Sequence, residues 1–89
     1  MSKSKIITYD LCNSEKNYNE LYEYLKSFPS WAHITESTWF VSTDKTCVDI
    51  RNELNEFTDS DDRIFVAELT GVAAWRNTLC NSDYLKEHL

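Results

Sequence analysis

The chain has 89 residues and a formal net charge of −6, and 42% of its residues are hydrophobic. That length suits one small domain, predicted over residues 1–89, and this apolar content is too high for a disordered chain. No apolar run approaches the roughly 20 residues of a membrane span, and no export signal is expected after the opening MSKSK. The acidic net charge opposes binding of a long nucleic acid, because its phosphates bind lysine and arginine side chains.

The first predicted elements are a strand and an amphipathic helix. Residues 5–10, KIITYD, form an apolar run that ends at Asp10 and are predicted to be a buried strand. The apolar side chains that follow recur at helical spacing, and Pro29 ends that pattern. These side chains are Tyr18, Leu21, Tyr22, Leu25 and Phe28. The helix has three candidate N-cap residues: Asn13, Ser14 and Asn17.

The middle of the chain predicts a hairpin and a second helix. Residues 31–35 and 38–42 are rich in β-branched and aromatic side chains, so two strands are predicted with a tight turn between them. Residues 44–57 then carry one apolar face at helical spacing. The members of that face are Cys47, Ile50, Leu54 and Phe57.

The last part of the chain predicts one more strand and a short helix. An acidic loop over residues 58–62 leads into a strand over residues 63–69, which Gly71 ends. Further on, Ser82 is the candidate cap of a final helix that carries Leu85 and Leu89.

The cysteines indicate a reducing compartment. Cys12, Cys47 and Cys80 are odd in number and widely spaced, which matches neither a disulfide framework nor a zinc motif. Reduced thiols and a cytoplasmic location are therefore expected.

The predicted order is βαββαβ, the ferredoxin-like arrangement of an α+β fold, followed by a C-terminal extension. Two helices cover only one face of a four-stranded sheet, yet Ile7 alternates with Ile6 and Trp39 with Phe40, so both faces are apolar. A sheet with one solvated face should alternate apolar and polar residues. A second copy of the chain is the simplest candidate cover, which predicts a homodimer through the sheet face, and the tail around Trp75 is the other candidate.

Three stretches of the chain resemble one known family. They are ITYDL, a first strand ending in Tyr-Asp; ITESTWFV, a hairpin around Ser37; and DDRIFVAEL, a last strand that opens on Asp-Arg. Together they fall within residues 5–70 and are similar to the CRISPR-associated Cas-two nuclease family. The phrases HITESTWFV and LTGVAAW look closest to small stand-alone relatives outside CRISPR loci, and VapD-type toxins share the same framework.

The resemblance implies a ferredoxin-like homodimer, packed sheet against sheet, with a C-terminal segment that crosses to the partner. In catalytic members of the family, the acid that ends the first strand lies near the dimer axis. The two copies there share one divalent metal, Mg²⁺ or Mn²⁺, which activates water for phosphodiester cleavage. Asp10 is the matching position in this chain, and Ser37 matches the hairpin serine.

The acidic residues also have structural interpretations. Metal-assisted hydrolysis usually uses two or more hard oxygen ligands, and a strand-end aspartate such as Asp10 can instead accept backbone N–H bonds in the next loop. Asp59, Asp61 and Asp62 lack the glycine and glutamate of a calcium loop, so a solvated turn is predicted. Asp62 and Arg63 are predicted to form a local ion pair.

Aromatic residues supply the candidate ligand site. Trp31, Trp75, His33 and Arg76 are the candidate ligand-binding residues, because aromatic faces stack bases and one arginine can hold a phosphate. The alternatives are a partly buried structural role for His33 and packing between protomers for the tryptophans.

Three functional hypotheses follow from these residues and the resemblance. The first is a non-catalytic homodimer that binds either a small nucleotide, such as a cyclic dinucleotide at the dimer axis, or a host protein. Such a protein would be a phage counter-defence or toxin-system component in the cytoplasm. The second is a metal-dependent endonuclease acting on RNA or DNA through Asp10 of both protomers. The third is a structural subunit of a nucleoprotein complex. The acidic charge favours binding over nuclease activity.

Overall fold

The computed structural model describes residues 3–12 and 18–88, which form four strands and three helices. In chain order these are β1 (Lys3–Asp10), α1 (Asn19–Lys26), β2 (Ser30–Thr35), β3 (Thr38–Thr43), α2 (Cys47–Leu54), β4 (Arg63–Glu68) and α3 (Ser82–His88). The predicted element order is therefore confirmed, including the two short strands of the hairpin. None of the helices in the described ranges is long and apolar enough to cross a membrane.

The four strands form one antiparallel sheet in the order β2-β3-β1-β4. This topology is compatible with the predicted ferredoxin-like α+β fold. The central strand β1 pairs Ile7 with Trp39 on one side and with Val66 on the other. Strands β2 and β4 are the edges of the sheet. Strands β3 and β4 flank β1, so residues far apart in the chain pair with the same strand.

The helix ends show which residues cap them. At α2 the Thr46 hydroxyl accepts a hydrogen bond from the Asp49 amide at 3.1 Å, which satisfies one unpaired donor of the first turn. Before α3 the side-chain Oδ1 of Asn81 accepts a hydrogen bond from the Asp83 amide at 2.8 Å. The prediction that Ser82 caps α3 is wrong, because Ser82 is already the first helical residue.

The start of α1 has no side-chain cap among the residues that the structure describes. The residue before α1 is Tyr18, whose side chain makes no capping hydrogen bond. The three predicted caps, Asn13, Ser14 and Asn17, lie outside the described residues, as does Leu89 of the predicted final helix.

One face of the sheet packs against α1 and α2 and contains the main core. The predicted helical stripe lies there: Leu21 and Leu25 from α1 and Ile50 and Leu54 from α2 are all buried. The strands contribute alternate residues, which share one face because successive strand side chains point to opposite sides. The strand members of this cluster are Ile7, Tyr9, Trp39 and Val41.

The helix-free face is covered in part by the chain's own C-terminal segment. Phe40 and Ala32 are buried there against Leu85 of α3, and Trp75 packs onto the same cluster. The Leu79 amide donates to the Ile34 carbonyl at 2.8 Å, which anchors the segment along the edge strand β2. The tail is thus one cover of the second apolar face, as the sequence allowed.

The half of this face over β1 and β4 stays open. Phe65 of β4 is 62% exposed, and Ile6 and Ala67 beside it are partly exposed. The tail therefore reduces the surface on which the predicted dimer would form, and it leaves one apolar strip at the β4 edge.

Candidate functional site

Asp10 lies at the open half of the helix-free face and is paired with a cation. Its Oδ2 accepts a hydrogen bond from Arg63 Nη1 at 3.0 Å, and the two side chains are 70% and 76% exposed. The β1–β4 register places Asp10 directly opposite Arg63. Both residues line a cavity of about 190 Å³ together with Phe65. The prediction that Arg63 pairs with Asp62 missed this cross-strand partner.

Asp62, and not Asp10, is the aspartate that accepts backbone N–H bonds beside the end of β1. Its carboxylate accepts hydrogen bonds from the amides of Cys12 and Asp59, each at 2.8 Å, and from the Tyr18 hydroxyl. These bonds tie the loop before β4 to the end of β1. The loop is an exposed turn at Asp59 and Asp61, as predicted, and the partly buried Asp62 accepts these hydrogen bonds from within the chain.

A divalent metal does not fit Asp10 of one chain by itself. Hard cations such as Mg²⁺ take several oxygen ligands, and the residues described here bring no group of three or more histidine, cysteine, aspartate or glutamate side chains together. The Arg63 guanidinium also occupies the Asp10 carboxylate. A metal would require carboxylates from a second chain and displacement of that arginine. Ser37, the other position implied by the resemblance, accepts the Tyr9 amide through its carbonyl at 3.1 Å.

Two of the four predicted ligand residues meet in one cavity. Trp31 and His33 alternate along β2 and point to the helix-covered side, where they line a cavity of about 330 Å³. We call this the aromatic pocket and define it by its five lining residues, Tyr22, Lys26, Trp31, His33 and Trp39. Tyr22 and Lys26 come from one face of α1, four residues apart, and therefore stand over the edge strand.

The rings of the aromatic pocket are stacked on Trp39. The His33 ring lies 4.1 Å from the Trp39 ring with an angle of 10° between their planes, and the Tyr22 ring lies 6.4 Å away at 25°. The Trp31 ring is tilted at 47° to Trp39 with its centre 5.6 Å distant. Trp31 is 39% exposed, so its ring forms the outer wall of the pocket.

Hydrogen bonds below the pocket fix the orientation of Trp39. Its indole N–H donates to the Tyr9 hydroxyl at 3.0 Å in the core. Burial is the main reason that the pKa of Tyr9 is raised, although the bond from Trp39 works in the opposite direction. The Tyr9 hydroxyl therefore stays protonated at neutral pH and accepts this bond from Trp39 below the pocket.

Polar groups stand at the rim of the pocket. The Lys26 ammonium lies 5.8 Å from the Trp31 ring centre, at cation–π distance, and its side chain is exposed. His33 Nε2 lies 3.1 Å from the Glu36 carbonyl oxygen, which can only accept, so Nε2 is the donor of this hydrogen bond. The rim thus presents one cation, the Lys26 ammonium, beside the aromatic rings.

The other two predicted ligand residues lie elsewhere. Trp75 packs in the cluster on the helix-free face, and its indole N–H donates to the Ser82 hydroxyl at 3.3 Å. Arg76 is exposed in the segment before α3. Trp31 and His33 also line a second cavity of about 390 Å³ against residues 79–84, so the edge of β2 separates two hollows. The four candidates therefore do not form one site.

Sequence reasoning assigned Tyr22 to the core and did not select Lys26 or Trp39 for the site. The signal was present in the spacing: Tyr22 and Lys26 are one helical turn apart, and a β2–β3 hairpin pairs His33 with Trp39. Only the packing of α1 over the edge strand joins these two pairs.

No family model and no solved structure matches the chain.

Proposed function

We propose that this protein is a non-catalytic binding protein of ferredoxin-like fold that holds a small nucleotide in the aromatic pocket. The observation that carries the proposal is the set of four aromatic rings, His33 and Tyr22 stacked on Trp39 and Trp31 tilted against it, with one lysine at the rim. Aromatic walls bind a flat base by stacking, and an ammonium group binds its phosphate, so the pocket needs no basic surface. This suits a chain whose net charge is −6.

The size of the pocket selects the ligand. A cavity of about 330 Å³ is at the lower end of the range for small-molecule sites, which suits one base with its sugar. A symmetric cyclic dinucleotide at a dimer axis would instead need Trp75 and Arg76 close to Trp31, and these residues lie apart. The proposal therefore becomes one mononucleotide per protomer.

The expected affinity is moderate. Stacking contributes roughly 1–3 kcal/mol for a base, and a charge-assisted phosphate contact contributes about 1.5–3 kcal/mol. Together these amount to about 2.5–6 kcal/mol, which corresponds to dissociation constants from tens of micromolar to about ten millimolar before the cost of association is subtracted. Such affinity suits a sensor of abundant nucleotides.

Calorimetry with adenine, guanine, cytosine and uracil mononucleotides tests the proposal. Wild-type protein should bind at least one of them at one ligand per chain, and Trp31→Ala and Lys26→Gln should each weaken binding about tenfold or more. Trp75→Ala is the matched control, since it removes a tryptophan from the other face of the sheet. Titrations without heat across the panel, or equal losses from Trp31→Ala and Trp75→Ala, would contradict the proposal. The first of these results would favour a host protein as the partner.

We also propose that two chains pair through the open half of the helix-free face. The support is the apolar strip around Phe65, which the tail leaves uncovered. Sedimentation at micromolar concentration should then give twice the 10.5 kDa mass of one chain, and Phe65→Lys should return the protein to a single chain. A wild-type protein that sediments only as one chain would exclude this dimer.

One observation supports the nuclease alternative. Asp10 lies on the same open half as Phe65, so a dimer formed there would bring two Asp10 carboxylates near each other. Cleavage of RNA or DNA that depends on Mg²⁺ or Mn²⁺, and that Asp10→Asn removes, would establish it. A dimer with neither cleavage nor nucleotide binding would leave the structural subunit as the remaining hypothesis.

A further inference from the structure

A buried lysine interrupts the core stripe of β1. Side chains of one face of β1 run from Tyr9 through Ile7 to Lys5, and the first two belong to the main core. Lys5 is only 2% exposed, and Thr43, on the neighbouring strand, is the other buried polar residue of the described chain. A charge at a core position breaks the alternation of the strand, and such departures from pattern are typical of functional sites.

The Lys5 ammonium is paired with one carboxylate. Within the described part of the chain, its partner is the Glu68 carboxylate, whose Oε1 lies 3.3 Å from Nζ across the β1–β4 pair. An ammonium group carries three N–H donors, which is more than one carboxylate oxygen uses. Lys5 lines a cavity of about 370 Å³, so a further acceptor can reach it there.

Other cationic groups converge on the same cavity. Lys3 and Lys45 line it, so three of the nine lysine and arginine residues of an acidic chain share one hollow. Carboxylates balance much of this charge: Glu68 lies 3.9 Å from Lys3 Nζ, Lys45 is bonded to Glu53, and Asp44 is also in the lining. The cavity therefore suits an anion that needs hydrogen-bond donors rather than a large net charge.

The start of α2 adjoins this cavity. Cys47, the first residue of the helix, lines it, and the Thr46 side chain takes the Asp49 amide, not those of Cys47 and Val48. The first amides of a helix have no intrahelical acceptor and favour negative charge. We propose that the cavity is an oxyanion site for a phosphate group, with Lys5 as its buried donor. This site shares no lining residue with the aromatic pocket, so it does not rest on the proposed nucleotide binding.

A titration with inorganic phosphate at constant ionic strength tests the site. Phosphate should move the amide NMR signals of Cys47 and Val48 with saturation, and it should raise the midpoint of thermal unfolding by several degrees at about tenfold above the dissociation constant. Lys5→Met keeps the length and apolar stem of the side chain and should weaken phosphate binding about tenfold or more. Lys3→Gln should weaken it less, whereas the matched control Lys86→Gln, on the exposed side of α3, should leave it unchanged.

Comparison of ligands identifies the source of the phosphate. Adenosine 5′-monophosphate that moves the Cys47 and Val48 signals, while adenosine does not, indicates a phosphate ester; a response to inorganic phosphate alone indicates the free ion. If Lys5→Met fails to fold, the difference between Lys3→Gln and Lys86→Gln still tests the site. Equal shifts from phosphate and acetate, or no saturable shift in wild type, would overturn the proposal.

Discussion

The two faces of the sheet are closed in different ways. The helix-covered face is filled by side chains of two helices and three strands, and residues such as Ile7 and Leu25 are completely buried. The helix-free face is closed over β2 and β3 by a short helix and a loop, and it is open over β1 and β4. The first face holds the fold together, whereas the second has only a local cover.

This difference explains where the candidate sites lie. The aromatic pocket and the cavity lined by Lys5 both lie at the border of the well-packed face, where core residues support their walls. Asp10 lies on the open face, exposed and paired with Arg63. Binding sites need groups held in place before the ligand arrives, so the packed face is the better location for them.

The largest effect should come from the packed face. Ile7→Ala removes a completely buried side chain at the centre of the sheet and should lower the free energy of unfolding by about 2–5 kcal/mol. Urea unfolding followed by circular dichroism measures this, with Leu79→Ala as the control, an exposed side chain in the segment that covers the helix-free face, expected within about 0.5 kcal/mol of wild type. Similar losses from both variants would contradict the distinction between the two faces.

A smaller and more local effect is expected at the tail. Leu85→Ala removes the buried side chain that joins α3 to Phe40 and Ala32, at a cost near the lower end for leucine, about 2 kcal/mol. Because α3 has only seven residues, it should detach while the sheet stays folded. Hydrogen exchange should then accelerate in α3 and not in β1. Acceleration throughout the sheet would show that the tail belongs to the same cooperative unit as the core.

The hydrogen bonds that join α1 to α2 should give the packed face a pH dependence. The Tyr24 hydroxyl donates to Glu53 at 2.8 Å, and Lys45 Nζ lies 2.7 Å from the same carboxylate oxygen. The bond from Lys45, with the one from Tyr24, lowers the pKa of Glu53 despite partial desolvation. Burial first, and then Glu53, raises the pKa of Tyr24 far above its usual range.

These shifts have opposite consequences for stability. The contribution of Glu53 is present above its unfolded pKa of about 4.3 and is lost as the pH falls through the lower folded value. The contribution of Tyr24 is present below about pH 10 and is lost as the pH rises further. Tyr24→Phe should therefore flatten the alkaline decline in stability, measured by urea unfolding across pH. An unchanged alkaline profile in this variant would show that Tyr24 does not cause the decline.

The smallest effect should come from Asp10 on the open face. Asp10→Asn breaks an ion pair between two largely exposed side chains, so stability should change by less than about 0.5 kcal/mol. Thermal unfolding of Asp10→Asn and Arg63→Gln, singly and together, measures the pair. A loss much larger than this would mean that Asp10 is held by more than Arg63, for example by a second chain.

Local sequence patterns predicted the elements because each pattern reports its own backbone period. The stripe of α1 and the alternation of β1 follow the 3.6 and 2.0 periods of helices and strands, so Leu21 and Ile7 were placed in the core correctly. The same reasoning assigned both faces of the sheet as apolar. It could not choose between the tail and a second chain as the cover, because a helix of seven residues has little local signal.

Tertiary structure alone decided which distant residues meet. The register of β1 with β4 pairs Asp10 with Arg63 and Lys5 with Glu68. Neither pairing can be predicted from residues that are adjacent in the chain. The packing of α1 over β2 joined Lys26 to Trp31, whereas the path of the tail separated Trp75 from them. The sequence by itself therefore determined the strands, the helices and the central core, because the spacing of apolar residues within each element decides which of its faces is buried. The structure determined the sites, because they form where separate elements happen to adjoin.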